Sequence, residues 1–304
     1  MMIALFPGQG SQSPGFLTPW LELDGAADRL AAYSEWSGVD LVAAGTEWDA
    51  DQIRDTQVAQ PLIVAASLLS WNTLDERERV DGVAGHSVGE FAAAAAAGIL
   101  SEEDAMRLVG IRGRAMAEAA TAESTGMSAV LGGDEGAVLE RLVELDLTPA
   151  NYNGGGQLVA AGTLDALSRL AEAPPAGTRI IALQVAGAFH TRFMAPAVET
   201  LRAAVQDASV SDPTLTIWTN RDGSTVSSGA EFARLLVEQV ASPVRWDLCM
   251  ASFAAAGVDG LVELAPGGTL TGLAKRGLRG TPAVAMKTPA DREKFSAMLQ
   301  GGSE

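Results

Sequence analysis

The sequence is short of the residues that build disulfides and metal clusters. A single cysteine, Cys249, stands among 304 residues. No internal disulfide can form, and a reducing cytoplasm is the expected compartment. There are two histidines, His86 and His190. With one cysteine they make no Cys/His zinc cluster, and no metal site is expected. Any histidine general base must be one of these two. Long apolar runs are also missing: no stretch approaches the roughly 18 apolar residues of a membrane span. The amino terminus, MMIALFPGQG, lacks the basic segment and the apolar length of a signal peptide. Positive charge is scarce, with 21 Lys and Arg against 38 Asp and Glu. The resulting net charge of −17 repels nucleic acid and anionic membranes, so neither is expected as a partner.

What is present suits a globular α/β protein. Hydrophobic residues make up 47% of the chain, enough for one large core or two smaller ones. Met2–Phe6 reads as a short buried strand running into the loop Pro7-Gly8-Gln9-Gly10-Ser11-Gln12. Gly82–Gly85 reads as a second buried strand, and Val88–Ala97 as an Ala-rich helix stopped at Gly98. Ser101 and Asp104 form a capping box for a helix running to about Ala119. The middle of the chain changes character. Strands at Gly126–Leu131, Pro149–Asn153, Leu158–Ala161 and Arg179–Val185 alternate with helices at Asp134–Leu145 and Leu164–Ala171. The order βαββαβ is that of a ferredoxin-like unit. At roughly 60 residues it is small for an independent domain, so residues 126–189 read as an insert. Residues 1–125 and 190–304 then form one discontinuous α/β core.

Gly85-His86-Ser87-Val88-Gly89 matches G-x-S-x-G at the expected strand-to-helix junction. Such a turn exposes the serine oxygen, with helix N–H groups beside it to hold an oxyanion. The alternative is a Gly-rich turn with a structural serine. A nucleophilic serine needs a base. His86 adjoins Ser87 and should point away from it, which leaves His190 as the candidate. Arg112 sits at the centre of the helical stripe made by Ala105, Leu108, Val109 and Met116. A guanidinium there must snorkel, pair with an internal acid, or wait for a substrate carboxylate. The PGQGSQ loop is either a plain turn or a second source of oxyanion N–H. Lys275-Arg276, with Arg279, is the densest basic cluster of the C-terminal third. It is either a solvated helix end or a docking patch for an acidic partner.

The motifs together are more specific than any one of them. Pro7–Gln12, Gly85-His86-Ser87-Val88-Gly89-Glu90, Arg112 and Gly187-Ala188-Phe189-His190 occur in that order. Glu238-Gln239, Pro243-Val244-Arg245-Trp246, Pro266-Gly267 and Lys275-Arg276 follow. This pattern resembles the malonyl-CoA:acyl carrier protein transacylases across essentially the whole chain. The resemblance implies an α/β-hydrolase-like core with a parallel sheet, a small ferredoxin-like insert, and a site in the groove between them. It implies Ser87 as nucleophile, His190 as base, Arg112 as carboxylate clamp with Met116 beside it, and Gln9 and Val88 as oxyanion N–H donors. Gln239 would orient the histidine through its backbone carbonyl, and Phe189 would exclude a methyl-branched acyl group. Ser242 departs from the pattern, since many relatives carry Asn there. The implied partners are malonyl-CoA, coenzyme A and an acyl carrier protein, with no bound cofactor and a monomeric enzyme. A free-standing polyketide acyltransferase, a serine esterase or thioesterase, and a non-catalytic carrier-docking module are the rival readings.

Overall fold

A computed structural model describes residues 1–301. Its strands are β1 (Met2–Phe6), β2 (Gly82–Gly85), β3 (Thr125–Gly132), β4 (Thr148–Gly154), β5 (Gln157–Thr163), β6 (Thr178–Ala182), β7 (Thr216–Trp218), β8 (Gly260–Glu263) and β9 (Ala283–Ala285). They form two sheets.

The first sheet has the order β7-β2-β1-β8-β9, and every neighbouring pair is parallel. Parallel sheets are covered on both faces, so their strands read as unbroken apolar runs. β1 follows that rule, with all five residues buried. Its period of two sends Met2, Ala4 and Phe6 into the larger core, and Ile3 and Leu5 into a second core around Trp218, Trp246 and Phe253. In that second core Phe253 meets Trp218 edge-on at 5.1 Å and Trp246 edge-on at 5.9 Å.

The larger core is threaded by the helix Thr56–Asn72, which is buried at every position except Gln57 and Asn72. A helix apolar on all sides belongs inside a protein. It packs along the helix Glu102–Ala120, whose buried stripe includes Arg112. That second helix is capped by Ser101, whose Oγ accepts the Asp104 N–H at 2.9 Å. The return half of the expected capping box differs. The Asp104 carboxylate takes the Ser101 hydroxyl at 3.1 Å and Arg107 at 2.8 Å. An aspartate is one methylene shorter than the glutamate that normally reaches back to the cap N–H.

The second sheet has the order β4-β5-β3-β6, with antiparallel pairs throughout. The helices Glu135–Glu144 and Leu164–Glu172 cover one face through Val130, Leu142, Leu158 and Leu170. The other face carries Met127 and Val159 into the larger core. β6 ends at Ala182, short of the expected Val185. Its pairing with β3 runs out at Ser128↔Ala182. The chain then turns, with the Val185 N–H donating to the Leu183 carbonyl at 3.1 Å.

Candidate active site

The site begins where β2 leaves the parallel sheet. Ser87 has a φ of 52°, a left-handed conformation that costs a non-glycine residue about 1–3 kcal/mol. The flanking glycines are a steric requirement. A Cβ on Gly85 would meet the backbone of Gly89 and Glu90, and one on Gly89 would meet the Phe6 carbonyl. Strand and helix can approach this closely only without side chains there. Asn220, just beyond β7, ties the turn together. Its Nδ2 donates to the Gly85 carbonyl at 2.7 Å, and its Oδ1 accepts the Ser87 N–H at 2.7 Å.

Ser87 Oγ lies 2.7 Å from His190 Nε2. His190 Nδ1 lies 2.9 Å from the Gln239 carbonyl. A carbonyl only accepts, so Nδ1 carries the proton and Nε2 is left to accept from the serine hydroxyl. Burial first, and then the positive charge of Arg112, lower the His190 pKa to about 3. The imidazole is therefore neutral at neutral pH, as a general base must be. The turn before it is pinned by Thr125 Oγ1, which accepts the Ala188 N–H at 3.1 Å, and by Thr191 Oγ1, which donates to the Ala188 carbonyl at 2.6 Å. His86 is occupied elsewhere: its Nε2 is 2.9 Å from Asn153 Oδ1, and its ring packs edge-on against Trp246 at 5.5 Å.

Arg112 is 1% exposed. Nη1 donates to Gln60 Oε1 at 2.5 Å and Nη2 to Gln239 Oε1 at 2.8 Å. Nε has no partner among the described residues. The guanidinium also stands over the Phe91 ring at 5.8 Å. Of the three options open to a guanidinium in that stripe, snorkelling is ruled out by burial, and its hydrogen-bond partners are amides rather than an acid. Burial lowers its pKa to about 10, so it remains a cation at neutral pH.

A cavity of about 340 Å³ joins these groups. Gln9 and Val88 line it, and among the described residues no acceptor takes the backbone N–H of either. The Ser87 N–H is not available, because Asn220 holds it. Gly8 lets the Gln9 loop lie on the elbow: a Cβ there would meet the His86 carbonyl oxygen at 2.9 Å. Phe189 and Met116 line the same cavity, and Gln239, behind Arg112, does not. At the mouth, Arg276 lines the cavity and donates to Gln157 Oε1 at 2.9 Å, while Lys275 is exposed and stands outside the lining. Among the described residues no three His, Cys, Asp or Glu side chains gather to hold a metal.

Sequence reasoning passed over Gln60 and Asn220, and quoted Glu90 without a role. Gln60 carried a signal, as a polar residue inside an apolar helix. Asn220 carried another, at the carboxyl end of a parallel strand, where α/β proteins place their sites.

The acyl transferase domain family matches residues 4–295. The malonyl CoA-acyl carrier protein transacylase of Mycobacterium tuberculosis is 54% identical over 97% of this chain and 99% of its own length. That of Escherichia coli is 32% identical over 94% and 96%. The crystal structure of the Mycobacterium tuberculosis enzyme superposes with a TM-score of 0.94, over 97% of this chain and 100% of that one. A malonyl-transacylase solved in complex with a type II PKS acyl-carrier protein superposes with a TM-score of 0.92 at 30% identity, over 98% and 99%. The chain belongs to the acyl transferase domain family and, within it, to the malonyl CoA-acyl carrier protein transacylases.

Proposed function

We propose that this enzyme moves a malonyl group from malonyl-CoA to the phosphopantetheine thiol of an acyl carrier protein through a malonyl ester on Ser87. The observation that carries this reading is a neutral serine–histidine pair sharing one cavity with a buried arginine that no acid pairs directly. His190 Nε2 takes the hydroxyl proton as Ser87 Oγ attacks the thioester carbonyl. The oxyanion forms against the Gln9 and Val88 N–H groups. The C–S bond breaks, and His190 returns the proton to the coenzyme A sulfur. The malonyl carboxylate takes the remaining N–H groups of the Arg112 fork bidentately, while Gln60 and Gln239 keep theirs and hold the guanidinium in place. The carrier thiol then gives its proton to His190 and attacks the ester; the C–O bond to Ser87 breaks, and His190 returns the proton to Ser87 Oγ. The sequence balances with no metal and no redox cofactor.

The two sheets take different parts in this reading. Residues 1–125 and 190–304 form the α/β-hydrolase-like core that holds Ser87, His190, Arg112 and Gln239. Residues 126–189 form the ferredoxin-like insert, a reading supported by the strand order β4-β5-β3-β6 with two helices on one face. A monomer suffices for this reading, because Ser87, His190, Arg112 and Gln239 reach one another within one chain. No helix among the described residues is long and apolar enough to cross a membrane, and Cys249 is buried and unpaired. Both fit a cytoplasmic enzyme. A polyketide carrier is the second reading, and the solved complex with a type II PKS acyl-carrier protein favours keeping it. Incubation with malonyl-CoA and a fatty-acid or a polyketide carrier tests both. The expected product is malonyl-carrier; release of free malonate in its place would make the protein a hydrolase.

A further inference from the structure

The structure assigns a role to the one acid buried in this site: we propose that Glu90 is a positioning residue whose carboxylate, acting through Gln239 and Asn220, orients the Arg112 clamp and the Ser87 turn together. The inference rests on the malonyl-transfer reading. Glu90 is 1% exposed, in the first turn of the helix that follows the elbow. An acid buried without a direct cation is costly and needs a reason. Its two oxygens face two donors. Oε1 accepts the Asn220 backbone N–H at 2.7 Å. Oε2 accepts Gln239 Nε2 in a short hydrogen bond.

Each donor leads to a different part of the machinery. Asn220 holds the Ser87 N–H and the Gly85 carbonyl. Gln239 Nε2 gives its other hydrogen to the Ser87 carbonyl at 2.9 Å. With both amide hydrogens engaged, Gln239 Oε1 is left facing Arg112 Nη2, at 2.8 Å. A side-chain amide can sit either way round, and its surroundings must choose. Here Glu90 chooses together with the Ser87 carbonyl, which also only accepts, and the guanidinium, which only donates. A neutral amide at position 90 has one accepting oxygen for two donors, so its NH2 would face a donor. Turning Gln239 over would relieve that clash only by setting its NH2 against the guanidinium and its oxygen against the Ser87 carbonyl, so the strain passes to the clamp and to the turn.

The arrangement also explains why the clamp stays open to an anion. An acid bonded directly to Arg112 would neutralise it. The Gln239 amide stands between them and passes on orientation without an ion pair. Burial raises the Glu90 pKa to about 7, while the Asn220 N–H, the Gln239 amide and Arg112 pull it back. Only the charged form offers both oxygens as acceptors.

The test compares Ser87 acylation by malonyl-CoA and by acetyl-CoA in the parent enzyme, Glu90→Gln and Gln239→Met. Both substitutions are close to isosteric. Glu90→Gln should cut the malonyl-over-acetyl ratio of kcat/KM by about tenfold, the order lost with one hydrogen bond to a charged group. Gln239→Met removes the relay while leaving Glu90 and the backbone carbonyl, and should cut the ratio similarly. Equal loss with both substrates in Glu90→Gln would mean a merely structural role and overturn the proposal. If Glu90→Gln does not fold, Gln239→Met decides: an unchanged ratio overturns the relay. A parent enzyme with no preference for malonyl-CoA would instead remove the reading on which the proposal rests.

Discussion

The cavity has two walls built on different principles. The wall on the side of the parallel sheet is backed by a hydrogen-bonded network: Ser87, His190, Arg112, Gln239, Glu90 and Asn220 are connected, and all but Ser87 are buried. The wall from the antiparallel sheet is simpler. Met127, Ala129, Val159 and Leu183 present side chains from one sheet face, and the mouth is bridged by the exposed Arg276–Gln157 contact. Chemistry needs fixed geometry, so it sits where the backbone is buried from both sides. Admission of a long substrate arm and a protein partner needs an opening, so it sits at the exposed junction. Substitutions in the first wall should therefore change rate and acyl choice, and those at the mouth should change only the encounter.

The largest effect is expected at Arg112. Arg112→Ala should cost malonyl transfer about 3–5 kcal/mol, a factor of 10² or more, by stranding the acyl carboxylate. Acetyl transfer should gain in relative terms. An unchanged malonyl-to-acetyl preference would place the selectivity in the other wall.

A pH profile sharpens the comparison next. His190 needs its neutral form, and burial and Arg112 hold its pKa well below the usual 6.5. In Glu90→Gln, which removes the titration of that acid, lowering the pH through 6.5 should leave acylation by acetyl-CoA, which does not use the clamp, nearly constant, and the acid limb should lie lower. A limb centred at or above 6.5 would mean a base in contact with solvent. The same shift affects folding. Below 6.5 the unfolded chain takes up a proton that folded His190 refuses, so this residue contributes stability that is lost as pH falls.

A smaller effect is expected at Phe189, which lines the cavity next to His190. Phe189→Ser should relax discrimination against methylmalonyl-CoA by about 1–3 kcal/mol, the scale of one methyl group in an apolar pocket. An unchanged ratio of kcat/KM would assign that choice to another lining residue.

The mildest effect belongs to the mouth. Lys275→Glu with Arg276→Glu should raise KM for the carrier protein and leave Ser87 acylation by malonyl-CoA nearly intact. Transfer by the parent enzyme should weaken as salt rises. Loss in both half-reactions would make the pair structural, which the Arg276–Gln157 bridge makes a fair alternative for Arg276.

The same division governed what could be read in advance. The elbow was legible because its glycines are a steric necessity written in consecutive residues. The βαββαβ order was legible because short apolar segments bounded by turn residues are separated by two helices that bury one stripe each. The helix Thr56–Asn72 was not, because burial on every side leaves no stripe to detect. Arg112 announced itself by its place in an apolar stripe, but its partners Gln60 and Gln239 lie 52 and 127 positions away. Glu90 and Asn220 were hidden for the same reason: their work is done across 130 residues, through bonds that no local pattern encodes.

The central claim is that Ser87 carries the malonyl group between the two partners. Intact-protein mass spectrometry after mixing with malonyl-CoA, followed by peptide mapping and then by addition of holo carrier protein, tests it most directly. The account predicts one malonyl adduct on the peptide containing Ser87, discharged on adding the carrier and absent in Ser87→Ala. An adduct that persists in Ser87→Ala, or one that the carrier cannot discharge, would contradict it.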